Sequence, residues 1–333
     1  MIPDGRDLIK ERLSRIFCEI FDRILPMSLL KTRIVRLNLY IGIMLLTGAA
    51  VCLAVGLPFM RTWFYSFAWW SFILALDGLN HRRCGTSVFF ASVPEFFFTA
   101  FISVPAWLIF ELFNLRLKNW SYLSLPSGLA IRWAGYFIAF ASVIPALKEL
   151  ALFFHNFFKR KIRLFGPLRV TPVLLNISLG IGILILLLPL IFPRLFFPLV
   201  WLGFIFLLEP LNYRRQRPSL LKDLETGGMT RLLSWMSAGL AAGIVWELFN
   251  FWAGAHWEYH ISYLDFGRIF EMPLFGYGGF VPFALEIWAI DVFLRSFYGS
   301  VRQKIVLKLA FWIGLFAFDF MGFYLIDRIT VVW

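Results

Sequence analysis

Charge is scarce in this chain. Only 16% of its 333 residues are Asp, Glu, Lys or Arg, against about 25% in a soluble domain, so a water-facing globular surface cannot be built from them. The three cysteines, Cys18, Cys52 and Cys84, lie far apart and form no C-x-x-C pair. They offer neither a thiolate metal site nor a disulfide framework, and read as small apolar filler. No G-x-x-x-x-G-K-[ST], G-x-G-x-x-G or G-x-S-x-G segment occurs, which leaves nucleotide-driven and triad chemistry without a motif. No cofactor is expected.

What the chain has in excess is apolar surface: 60% hydrophobic and 19% aromatic residues, with a mean hydropathy of +0.76. A spanning helix needs about 20 mostly apolar residues, because only a helix satisfies its own backbone inside lipid. Nine segments qualify, from about Leu39 to Leu57, Trp63 to Leu79, Phe89 to Phe113, Trp133 to Phe157, Pro172 to Phe192, Phe196 to Leu211, Leu232 to Trp252, Phe280 to Phe297 and Val306 to Ile326. Ahead of them, Ile9, Leu13, Ile16, Phe17, Ile20, Phe21 and Ile24 recur at helical steps between charged residues, so Arg6 to Leu25 reads as an amphipathic helix lying on the membrane. Its charges interrupt any signal-peptide core, and no cleavage is expected.

The net charge of +12 would suggest a nucleic-acid partner in a soluble protein. Here the bases sit in short turns between spans, and no nucleic acid is expected. Most Lys and Arg fall in the N-terminal arm, at Arg82 and Arg83, and in the turns from 159 to 169, 214 to 231 and 295 to 308. The positive-inside rule assigns that side to the cytoplasm, giving a multi-pass bacterial inner-membrane protein with a cytoplasmic N-terminus.

Self-similarity runs through the spans. WWSFILALDGLNHRR from Trp69 is matched by WLGFIFLLEPLNYRR from Trp201, and FELFNLRLKNWSY from Phe110 by WELFNFWAGAHWEY from Trp246. A third match sets Gly135-Tyr136 and Pro145 to Glu149 beside Gly276-Tyr277 and Pro282 to Glu286. Same order and similar separations predict a tandem repeat of four spans plus a ninth, both copies facing the same way. The expected organisation is an amphipathic arm over 1–38, a first repeat over 39–170, a second over 171–300, and a last span with the C-terminus over 301–333. The fold class is all-α, a polytopic membrane bundle.

Ionisable groups within spans are costly and usually face a protein interior or a water-filled path. Glu111, Glu149, Glu247 and Glu286 are therefore the candidate catalytic groups, able to give and take protons. Asn114 and Asn250 share helix faces with Glu111 and Glu247 at i, i+3. With Trp120, Tyr122, Trp257 and Tyr259 they are the expected substrate-binding residues, the rings suiting a cationic intermediate. The plain alternative is that Asn and Glu tie helices together while Trp and Tyr collect at the interface. Asp77 and Glu209, beside Arg82, Arg83, Arg214 and Arg215, read as ion pairs at the cytoplasmic edge.

His256, Glu258 and His260 would place two imidazoles at i, i+4 on a helix, a ligand spacing for a metal. Their counterparts Asn119, Ser121 and Leu123 do not repeat the trio, and no metal is assigned. The loop from Ala253 to Gly279 is long for this chain and reads as a lid folded onto the outer face.

From Trp246 to Glu286, an acidic residue in a span is followed by W-x-Y, a glycine turn and a Pro-to-Glu start of the next span. In that order the chain resembles the membrane-integral lycopene cyclases of the heterodimeric or archaeal type and their carotenoid-hydratase relatives. The resemblance implies a protonating carboxylate acting on a polyene without a metal, with Glu247 and Glu286, and Glu111 and Glu149 in the first copy, as acid and base. FEMPLFGYGGFVPFALE also looks like a segment of uncharacterised bacterial inner-membrane proteins. The expectation is a membrane-embedded acid/base enzyme of the isomerase, cyclase or hydratase type. The partners expected are an isoprenoid or other membrane lipid and a second copy of the chain. The rival readings are a proton-coupled transporter and a lipid-binding protein without catalysis.

Overall fold

The computed structural model describes residues 27–158, 162–163, 166–261, 263 and 266–333; the amphipathic arm expected over Arg6 to Leu25 lies outside the described residues. The chain order is α1 (Met27–Ala54), α2 (Pro58–Cys84), α3 (Val93–Leu117), β1 (Trp120–Leu123), α4 (Leu129–Phe140), α5 (Val143–Phe157), α6 (Pro172–Ile191), α7 (Gly203–Arg214), α8 (Thr230–Trp252), β2 (His256–Tyr259), the small hairpin β3 (Arg268–Ile269) and β4 (Met272–Pro273), α9 (Tyr277–Val301) and α10 (Ile305–Ile329). Short helical turns stand at Val88–Ala91, Pro193–Phe196, Phe197–Trp201 and Leu220–Glu225.

Among the described residues eight helical stretches are long and apolar enough to cross a membrane, so the chain is an all-α multi-pass bundle. The expected span not among them, Trp63 to Leu79, lies within α2. At 27 residues and about 1.5 Å per residue, α2 has the length to cross, about 40 Å, but its Trp, Tyr, Ser and Asp side chains make it less apolar than its neighbours. It can afford them because it is wedged between α1, α5 and α8. Its first turns reach Trp257, which Tyr65 meets at 5.1 Å, and its last turn reaches Glu149, so it runs from one end of the bundle to the other.

The fourth expected span is broken into α4 and α5. Pro145 has no N–H and its ring crowds the carbonyl four residues back, which ends the helix near Ala141. Ser103 of α3 patches the break: its hydroxyl donates to Phe140 O (2.6 Å) and accepts from Ile144 N (3.0 Å). Pro210 inside α7 is handled the same way, with Ser178 of α6 donating to the freed Phe206 carbonyl (2.9 Å).

Packing places α3, α5, α8 and α9 at the centre, α5 against α8 and α9 against α3, with α1 leaning on α2 and α6 on α7 at the flanks. Phe110, Ile144, Phe283 and Ile287 are fully buried at that meeting point. Small residues let the flanking pairs close up: a Cβ on Gly42 would run into the Ala75 backbone, and one on Gly182 into Leu207. The bundle has two unlike ends. One carries β1, β2 and the hairpin, crowded with Trp and Tyr. The other carries Arg82, Arg83, Arg214 and Arg215.

Candidate aromatic chamber and its carboxylates

The aromatic end is built by one local design used at two places. At the end of α3, Asn114 turns its amide on the backbone of Trp120: Nδ2 donates to Trp120 O (2.8 Å), while Oδ1 accepts from Asn119 N (2.8 Å) and Trp120 N (3.2 Å). At the end of α8, Asn250 donates to Trp257 O (2.9 Å) and accepts from Trp257 N (3.0 Å). Each asparagine thus stands in for a neighbouring strand and fixes an extended W-x-Y segment to its helix.

In an extended segment the Tyr two residues on shares a face with the Trp. That brings it back over the glutamate one helical turn below the asparagine. Tyr122 OH donates to Glu111 Oε1 (2.5 Å) and Tyr259 OH to Glu247 Oε1 (2.7 Å). The two segments pair with each other, antiparallel, Trp120 opposite Tyr259 and Tyr122 opposite Trp257. The four rings therefore share one face of a two-stranded ribbon.

Beneath that face lies a cavity of about 370 Å³. Trp120, Tyr122, Trp257 and Tyr259 line it, together with Tyr65, Trp107, Tyr136, Trp201, Trp246 and Phe283. Of the six expected substrate-binding residues these four reach the cavity, and Asn114 and Asn250 stand behind the wall as the groups that position them. Glu111 and Glu247 also stand one side chain behind the wall, fully buried. Burial first, and then the neighbouring Glu111 carboxylate, hold the Tyr122 phenol well above its ordinary value. Tyr259 is raised in the same way by burial and Glu247. Both are proton donors at neutral pH.

The two sides of the wall differ. Glu111 Oε1 also accepts from Trp107 Nε1 (2.9 Å) and Trp120 Nε1 (3.2 Å), so three donors converge on one oxygen. Among the described residues Glu247 has the Tyr259 hydroxyl alone. The position matching Trp107, four residues before the glutamate, is Gly243, and a Cβ there would strike the Phe280 ring. The second oxygens, Glu111 Oε2 and Glu247 Oε2, are buried without a partner.

The other two expected catalytic glutamates do not join them. Glu149 sits near the basic end, accepting from Asn80 Nδ2 (2.7 Å) and from Val88 N (3.1 Å) at the start of a short helical turn. Glu286 accepts from Phe204 N (2.8 Å) at the start of α7. Among the described residues no hydrogen bond links any two of the four, and the chamber is not lined by any of them. The pairing of Glu149 with Glu286 also shifts: Asn80 donates to Glu149 O (2.9 Å) whereas Asn212 donates to Ala289 O (3.0 Å), so the counterpart of Glu149 is Ala289.

Asp77 and Glu209 are not the ion pairs expected of them. Asp77 accepts from Asn38 Nδ2 (3.2 Å) and Phe89 N (3.0 Å), and Glu209 accepts from Ser219 Oγ (2.9 Å) and Leu220 N (2.6 Å). Helix N-termini have orphan N–H groups, and a carboxylate answers them at close range. The arginines lie outside, Arg83 over the Phe153 ring and Arg215 over Phe293, each at 5.0 Å.

One part of the wall has no local signal. Arg132 lines the chamber and makes a bidentate pair with Asp327 (2.7 and 2.8 Å) across 195 residues of sequence. Trp133 Nε1 and Tyr136 OH also donate to Asp327, each at 2.8 Å. The chain beyond α10 then runs along the free edge of β1, with Tyr122 N donating to Thr330 O (2.8 Å) and Val332 N to Tyr122 O (2.9 Å). Tyr122 is held on both edges.

His256, Glu258 and His260 lie in and just after β2, not on a helix. Extended spacing sets the Cα atoms of the two histidines about 13 Å apart, and no group of three metal-ligating side chains stands together among the described residues. His256 lies at the chamber's edge with Nδ1 against Gly254 O (2.8 Å), and His260 Nε2 pairs with Ser121 Oγ (2.7 Å). Comparison of the chain with protein-family models, with curated proteins and with solved structures finds no match.

Proposed function

We propose that this protein binds a lipid-dissolved substrate of isoprenoid type in the aromatic chamber and acts on it by proton transfer. Tyr122 and Tyr259 meet the substrate; Glu111 and Glu247, one side chain behind, exchange protons with them. The observation that carries this reading is that both phenols line the cavity while bonding a buried carboxyl. A wall of rings suits an apolar chain and a positive charge developing on it. Protonation of a double bond gives such a charge; loss of a proton from a neighbouring carbon to the opposite dyad completes an isomerisation or cyclisation, and addition of one water completes a hydration. No net redox change occurs. This agrees with the resemblance to membrane-integral lycopene cyclases.

In this reading the chain is a parallel duplication, supported by the recurring Asn, Trp, Tyr and Glu bonds and by the symmetric register of β1 with β2. The basic end faces the cytoplasm of a bacterial inner membrane, and the chamber opens toward the other side. Glu149 and Glu286, bonded to backbone amides, hold the bundle.

A second reading, lipid binding without catalysis, is favoured by the closed local loop that each Tyr-Glu pair forms. Lipid-soluble extracts of cells with and without the protein, resolved by mass spectrometry, separate the two. The enzyme reading expects a substrate that accumulates and a product of equal or water-shifted mass that disappears, both reproduced by Tyr259→Phe. Unchanged extracts from cells that contain folded protein would remove it.

A further inference from the structure

The hairpin at the aromatic end presents an unusual surface. Phe266, Ile269, Leu274 and Phe275 are 58%, 49%, 52% and 57% exposed, a dense group of large apolar side chains for an eleven-residue excursion into water. The end of α8 continues it with Phe251 and Trp252, both exposed. Phe270 on Phe251 at 5.5 Å ties the two together, and Phe266 meets Phe275 at 5.3 Å within the hairpin. Phe275 is exposed on one side and lines the chamber on the other. Met272 and Pro273 of the hairpin and Gly276, Gly278 and Gly279 beyond it line the chamber as well.

The hairpin's two strands share the pairs Arg268 with Pro273 and Ile269 with Met272, Leu274 N donates to Gly267 O (3.2 Å), its base is pinned by Tyr277 OH donating to Ile269 O (2.8 Å), and Phe270 sits in the left-handed region at φ 55°. Next to it the first turn of α9 leaves a gap in side-chain cover: at Gly278 an added Cβ would meet nothing within 4 Å.

We infer that the hairpin of residues 266–276 is immersed in the membrane leaflet at the aromatic end, and that the gap between it and Gly278 is the mouth through which the apolar chain of a membrane lipid enters the chamber sideways. The entry route rests on the chamber being a ligand site; the immersion of the hairpin does not. A substrate dissolved in lipid then reaches Tyr122 and Tyr259 without crossing water, and Phe275 is the first ring it touches.

Two measurements on the full chain in lipid nanodiscs test this. With the three cysteines replaced by serine, a bimane attached through Leu274→Cys is expected to be quenched by doxyl-labelled lipid and shielded from aqueous iodide; quenching by iodide alone overturns the immersion. Entry is followed with cis-parinaric acid by energy transfer from the chamber tryptophans. Gly278→Phe, whose Cβ meets nothing within 4 Å, is expected to slow the saturable rise at least ten-fold, while the same change at Gly299, also in open space at the far end of α9, leaves it unchanged. An unaltered rate in Gly278→Phe overturns the portal even though the chamber binds. Absence of any saturable transfer in the unmodified chain counts against both the portal and the chamber reading, and leaves the bimane result to decide the immersion.

Discussion

The two ends of this bundle use the same residue type for different work. At the basic end Asp77, Glu149 and Glu209 are buried carboxylates, each accepting from a backbone amide at the start of a short helical turn and from one Asn or Ser side chain. At the aromatic end Glu111 and Glu247 are equally buried, but their donors are phenol and indole groups that face a cavity. The first arrangement ties short turns and neighbouring helices together and opens onto no part of the chamber. The second connects a proton-carrying group to a space that a ligand fills. Burial alone does not separate these roles; the identity of the donor does.

That contrast is sharpened most by removing the two phenols. Tyr122→Phe with Tyr259→Phe keeps every ring and is expected to lower conversion of the lipid-phase substrate by at least about 10²-fold, with binding of cis-parinaric acid retained. Loss of folding instead of activity would place the aromatic end in the same class as the basic one. Next in size is Asp77→Ala, which removes the acceptor of the buried Asn38 Nδ2. A stability loss of about 1–3 kcal/mol is expected from that unmet buried donor, read by thermal unfolding in detergent, with ligand affinity unchanged.

Within the chamber wall the two sides can be set against each other. Tyr259→Phe leaves Glu247 with no donor, whereas Tyr122→Phe leaves Glu111 with two indoles. The first is expected to cost about 1–2 kcal/mol more than the second, and equal losses would erase the asymmetry. A smaller effect is expected of Trp333→Ala, which removes the ring lying 4.5 Å from the Arg132 guanidinium and costs about 0.5–1 kcal/mol. Alkaline titration closes the series with no change at all below the ordinary tyrosine range. Raised folded values mean that the native state keeps these two protons longer than the unfolded chain. Their contribution to stability is therefore complete below about pH 10 and is lost as pH rises above it. Absorbance at 295 nm is expected to show Tyr122 and Tyr259 ionising only on unfolding.

Much of the bundle is legible in the sequence, because hydrophobic length and the backbone's need for internal hydrogen bonds leave few alternatives in lipid. The E-x-x-N helix end followed by W-x-Y also points to the chamber, since i, i+3 spacing on a helix and alternation in a strand bring those four residues to one place. The same alternation was the signal that His256, Glu258 and His260 lie on a strand, with Trp257 and Tyr259 on its opposite face. What sequence spacing misses is long-range closure. Arg132 and Asp327 meet only because α4 and α10 come together at the aromatic end. Spacing also does not show that Asn80 reaches Glu149 O whereas Asn212 reaches Ala289 O, three residues beyond Glu286. Nor does a carboxyl group in a span announce its donor: Glu149 and Glu247 look alike until Val88 N and Tyr259 OH are seen beside them.

The central claim is that phenol-carboxyl pairs exchange protons with carbon atoms of a lipid-phase molecule in the chamber. Incubating the reconstituted protein with the lipid-soluble extract of its own host in heavy water tests it directly. The account predicts that one component of the extract gains deuterium on carbon with the unmodified chain and gains none with Tyr122→Phe and Tyr259→Phe combined. Equal labelling by both, or no labelling by the unmodified chain while it holds its ligand, would contradict it.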